Sequence, residues 1–147
     1  MYEDFTFIAQ AVARDLAAQN MRYAEVFYSP PDFRRQGLTP QGITEAIREG
    51  PDSVQATKVQ LVADLVRDFG AEKAAVTLKE VNEVKRLGAV GVGMGGSEQD
   101  YPPGAFEAVF AKARGLGFYT SAHAGEAAGP RSVWVIPLAW SAGIAYH

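Results

Sequence analysis

Residues 58–94 read "KVQLVADLVRDFGAEKAAVTLKEVNEVKRLGAVGVGM". The opening stretch, 58–66, is a short apolar run of the kind that forms a buried strand. Gly70 breaks it. Across 71–87, Ala74, Leu78, Val81, Val84 and Leu87 fall on one side of a helix. Gly88 then stands where a helix-ending glycine belongs, and Val90–Met94 forms a second short strand. Strand, helix and strand in this order make a parallel βαβ unit.

The pattern extends outward on both sides. Upstream, Phe5, Ile8, Ala9, Val12 and Leu16 give residues 3–19 the period of an amphipathic helix. Arg22–Ser29, "RYAEVFYS", is a strand that ends at Pro30-Pro31, which cannot extend a ladder. Thr39-Pro40 pairs an N-cap with a proline at the first helical position, opening a helix to Gly50. Pro51–Thr57 is a polar connection. Downstream, Pro102-Pro103 opens a helix with Phe106, Val109, Phe110 and Ala113 on one face, and Gly115 and Gly117 end it. Phe118–Ala122 is the fourth strand, with His123 at its carboxyl end.

The order is therefore α-β-α-β-α-β-α-β, an α/β fold of alternating βα units. Both a doubly wound sheet and a segment of a TIM (β/α)8 barrel have this order. Four units are about half of a closed barrel, which takes about 250 residues. No linker divides the chain, so residues 1–147 are read as a single partial barrel domain.

The 147 residues carry 14 basic and 17 acidic side chains, a formal net charge of −3. That balance offers no basic face for nucleic acid and no polybasic membrane patch. There is no cysteine, so any metal must be held by His, Asp or Glu. No signal pattern or membrane-length apolar run is seen, and the expected location is the cytoplasm.

In parallel α/β folds the functional groups collect at the carboxyl ends of the strands. Here those ends carry Arg67-Asp68, "GMGGSE" (93–98) and "HAGE" (123–126). Arg67-Asp68 reads as a local ion pair or a structural pair at the strand end. Gly95-Gly96 reads either as a turn needing positive φ or as a point of close backbone approach to a planar ligand. It lacks the spacing and the lysine of a phosphate loop. His123 reads as a metal ligand or as a capping histidine. Glu126, three residues on, could move a proton beside a metal.

Taken together, "YAEVFYSP" (23–30), "LVADLVRDFG" (61–70), "GVGMGGSE" (91–98) and "KARGLGFYTSAHAGEAAGPRSVW" (112–134) resemble the adenosine deaminase family of zinc-dependent purine deaminases. The resemblance runs from about Arg22 to Trp134, in the family's order. It implies a (β/α)8 barrel of the metal-dependent hydrolase type, with these strands as its third to sixth. It also implies hydrolytic deamination of adenosine or a related 6-aminopurine by a zinc-activated water. In those terms His123 is a zinc ligand. Glu126 is the catalytic proton donor to the purine ring nitrogen, and the Gly96 N–H contacts the purine. Adenine deaminase and aminodeoxyfutalosine deaminase share this chemistry.

The chain also departs from the family pattern. The family's His-x-His pair is absent, and so is its Asp-Asp pair. A non-catalytic, purine-binding or interaction remnant is the contrasting reading. After Trp134 the family has a charged amphipathic helix, but residues 135–147 read "VIPLAWSAGIAYH", an atypical segment in which Pro137 should break a helix. His147 falls 24 positions after His123, the register of the family histidine that orients the attacking water. It lacks the flanking glycines of that histidine. The segment before the second strand is also shorter than the family's. A half-barrel leaves open sheet edges and apolar helix faces, so self-association, or completion by the rest of a longer barrel, is expected.

Overall fold

The computed structural model describes residues 1–139. Nine regular elements alternate along them: α1 (Tyr2–Ala18), β1 (Tyr23–Tyr28), α2 (Pro40–Asp52), β2 (Lys58–Asp64), α3 (Gly70–Glu83), β3 (Ala89–Gly93), α4 (Glu107–Gly115), β4 (Tyr119–Thr120) and α5 (Pro130–Ala139). The Thr39 hydroxyl caps α2 by accepting the Gly42 N–H at 3.1 Å. The prolines that stop β1 open a 3-10 turn at Pro30–Gln36, and a second 3-10 turn at Pro103–Phe106 leads into α4. α5 runs on through Pro137 rather than breaking there, although the ring removes a donor and crowds the carbonyl one turn back.

The four strands are all parallel and lie in chain order, β1-β2-β3-β4. Every helix that contributes to the core packs on the same side. Val59 and Leu61 of β2 meet Ala13 and Leu16 of α1 and Ile47 of α2. Ala63 and Leu65 meet Leu78 and Val81 of α3 and Phe110 of α4. Between Leu61 and Val62 the register slips by one residue of β3, so that Val90 has no partner. This bulge lets Ala89 and Val92, three apart, both join the helix side.

A doubly wound sheet has helices on both faces and a reversal of strand order, and this sheet has neither. Sequential parallel strands with helices on one face are the wall of a barrel. The other face, which would line the barrel, leaves Tyr23, Phe27 and Tyr119 exposed. No helix of the described residues is long and apolar enough to cross a membrane.

Candidate active site

The carboxyl ends of β2, β3 and β4 converge, and buried charges tie their loops together. β4 is shorter than the sequence suggests, but its pairing with β3 continues past Thr120. Ser121 N–H donates to the Val92 carbonyl and His123 N–H to the Met94 carbonyl, both at 3.0 Å. His123 therefore leaves the sheet from a fixed point. Its ring meets the Phe27 ring edge-on, with centroids 6.4 Å apart. Phe27 reaches across the inner face because Gly93 has no side chain, and a Cβ there would lie 2.5 Å from the Phe27 ring.

Arg67 is fully buried. Its guanidinium donates to the carbonyls of His123 (2.6 Å), Met94 (3.3 Å) and Tyr101 (3.3 Å). Burial lowers its pKa against the raising effect of Glu98, Asp64, Asp68 and Glu126 nearby. Asp68 turns the other way and accepts the Ser97 N–H at 2.9 Å. The two neighbours are thus a structural pair at the strand end: both tie to the loop after β3, and Arg67 also reaches the loop after β4. Asp64 Oδ1 accepts the N–H groups of Val66 and Gly95, both at 2.9 Å. Val66 itself has φ +50°, an unusual backbone for a β-branched residue. The Asp64 carboxylate holds the chain through this bend.

Gly96 has φ +103°, and a Cβ built on it would lie 1.8 Å from Asp68 Oδ2. The glycine is required by the loop itself, whose side-chain space Asp68 fills.

Glu98 is 4% exposed. Its Oε1 accepts the Gly125 N–H at 2.6 Å, and its Oε2 accepts those of Ala127 (2.8 Å) and Ala128 (3.1 Å). Burial alone would raise its pKa. The Ser132 hydroxyl, close by but outside hydrogen-bond geometry, and the three N–H groups outweigh that and hold it down to about 2. Because the folded pKa lies below the ordinary 4.5, the stabilisation is complete above about pH 4.5 and is lost as pH falls toward 2. Urea midpoints measured from pH 6 to pH 2 should therefore show the gap between the native chain and Glu98→Gln closing as pH falls. A gap constant down to pH 2 would contradict this.

His123 and Glu126 stand at the mouth of this network. Their side chains are 58% and 76% exposed, with Nδ1 and Oε2 3.6 Å apart. His147 lies outside the described residues. Zinc takes three or four protein ligands, and among the described residues no three His, Asp or Glu side chains come together. His123 offers one imidazole, so these residues do not by themselves fit a catalytic zinc site.

Sequence reasoning missed Glu98 as a structural carboxylate. The available signal was an acid two residues beyond a glycine pair at one strand end, facing a glycine-rich loop at the next.

A one-sided parallel βα wall with its polar loops at the strand carboxyl ends defines part of a (β/α)8 barrel. The family model described as adenosine deaminase matches residues 1–136, and the chain belongs to that family. Over 137 residues it is 32% identical to an aminodeoxyfutalosine deaminase of Streptomyces avermitilis, covering 90% of this chain and 38% of that protein. Over 131 residues it is 34% identical to an adenine deaminase of Rhodospirillum rubrum, covering 86% and 39%. Among solved structures, a zinc-bound amidohydrolase from B. ambifaria superposes with a TM-score of 0.86 at 28% identity, covering 93% of this chain and 39% of that one. The chain spans about two-fifths of the length of these curated relatives.

Proposed function

We propose that this chain is the central part of a purine aminohydrolase, an enzyme that hydrolyses the exocyclic C–N bond of a 6-aminopurine and releases ammonia. The observation that carries the reading is the His123–Glu126 loop, held at the carboxyl end of β4 by Arg67 and Glu98, within a chain of the adenosine deaminase family. Glu126 delivers a proton to the purine ring nitrogen, and the Gly96 N–H orients the ring. Zinc as the metal is supported by the zinc-bound B. ambifaria amidohydrolase. His123 would be one ligand, with the others supplied from outside residues 1–139. His147 keeps its proposed role in orienting water through its register alone. Adenine and the adenine-bearing aminodeoxyfutalosine stand beside adenosine as substrates, because the relatives above act on them by name. The location proposed is the cytoplasm.

The rest of the barrel comes from a second copy or from further chain. Two sheet edges are free, and an apolar groove of about 430 Å³ runs between α1 and β1, lined by Phe5, Ile8, Val12 and Val26. The test is a single preparation of the purified chain with zinc added. Sedimentation, zinc content and ammonia release from adenine, adenosine and aminodeoxyfutalosine are measured together. Because a second copy of residues 1–139 adds only a second His123, the expected result is an associated species, with zinc bound and ammonia released once further chain completes the ligand set. A folded monomer with neither zinc nor turnover would sink the enzyme reading for this chain. It would leave the non-catalytic reading, which the single imidazole among the described residues favours.

A further inference from the structure

We propose that Glu98 is a positioning residue of this site, fixing the main chain on both sides of Glu126 and so setting where the Glu126 carboxyl stands relative to His123. The proposal rests on the reading that His123 and Glu126 carry the chemistry. Glu98 follows β3, whereas the loop it holds follows β4, so the restraint crosses between neighbouring strand ends.

The geometry is specific. Gly125 precedes Glu126 and donates to one carboxylate oxygen. Ala127 and Ala128 follow it and donate to the other. One buried carboxylate thus brackets a single residue. Arg67 completes the bracket from the opposite polarity by taking the His123 carbonyl. The Glu126 side chain is largely exposed, with its Oε2 3.6 Å from His123 Nδ1. What orients it is the backbone beneath, and that backbone is held by Glu98. Charge-assisted bonds of this kind are short and strong. A neutral amide at Glu98 would keep one acceptor oxygen and set an NH2 group against the remaining N–H donors.

The test compares the native chain with Glu98→Gln and Glu98→Asp. Amide hydrogen exchange at Gly125, Ala127 and Ala128 is read by NMR, with the Leu61 amide, bonded to the Gly88 carbonyl in the sheet, as the internal reference. In Glu98→Gln the three loop amides should exchange about tenfold faster or more, the equivalent of one ordinary hydrogen bond or more, beyond the change in overall stability that Leu61 reports. In the ammonia-release assay kcat should fall on the order of a hundredfold, as a misplaced reacting group predicts, with KM for the aminopurine nearly unchanged. Glu98→Asp keeps the charge and should recover part of both losses.

Loop exchange unchanged in Glu98→Gln would overturn the proposal. So would a loss carried by KM alone, or a loss matched at Leu61. A native chain that releases no ammonia, yet loses loop protection in Glu98→Gln, would overturn the deaminase reading and with it Glu98's part in catalysis, while leaving the clamp itself standing.

Discussion

Arg67→Met is expected to destabilise the chain by about 3 kcal/mol or more, the cost of stripping a charged donor from buried carbonyls. Against a typical total of about 5–15 kcal/mol for a domain, that is a large fraction. Two effects oppose each other. Methionine removes a guanidinium whose burial is unfavourable, as the lowered pKa of Arg67 records, and it fills much of the same volume. Replacing a buried charge together with its partners by apolar groups is often neutral. Here the partners are the main-chain carbonyls of His123, Met94 and Tyr101, which stay behind without a donor. The penalty for those carbonyls decides the sign. Arg67→Lys should recover little, because a single ammonium cannot reproduce the planar fork that reaches these three carbonyls on two loops. Urea unfolding measures it: the midpoint should drop clearly in both variants. An unchanged midpoint in Arg67→Met would mean that these three carbonyls, on two loops, are held by something else.

Glu126→Gln should do the opposite, leaving stability intact while removing turnover. The side chain is 76% exposed, and substitutions at such positions usually change stability by about 0.5 kcal/mol or less. The backbone on either side is bonded to Glu98 rather than to Glu126, so the amide is presented where the acid was. Glutamine cannot deliver a proton as an acid does, and losing a general acid typically costs about 10²–10⁴-fold in rate. The loss should fall on kcat, with KM changed little, since the interaction is made in the transition state. Ammonia release combined with a urea titration of the same preparation checks both halves. Residual turnover within a few-fold of the native rate would remove Glu126 from the reaction.

The two residues illustrate what could be read from the chain. His123, Glu126 and Gly96 were singled out because they stand at strand ends within motifs that resemble the family's. The βαβ reading of 58–94 held because the apolar period changes cleanly at Gly70 and Gly88. The choice between barrel wall and doubly wound sheet was not legible in the apolar pattern; the family resemblance made it, and the strand order agrees. The helices present the same stripes in both, and only the spatial order of the strands separates them. Arg67-Asp68 left an ion pair and a structural pair both open, because adjacent opposite charges pair in many proteins. Only the tertiary structure shows that both side chains bond main-chain groups of neighbouring strand ends. Glu98 was missed for a related reason: its partners are backbone N–H groups, which show in the sequence only as the glycine-rich loop that it faces. The bulge at Val90 and the brevity of β4 belong to the same class, since both depend on how strands meet.

The strand order also bears on how the chain folds. Each strand pairs with the one before it, and the strands begin roughly 30 residues apart, so no pairing has to wait for a distant segment. Each pairing still closes a loop of about 30 residues, and parallel sheets fold slowly for that reason. As the chain leaves the ribosome, every new βα unit finds its template already laid down. The loops of Gly96, Glu98 and Glu126 come together only when β4 joins, so the chemistry-bearing rim is the last part of this wall to be assembled.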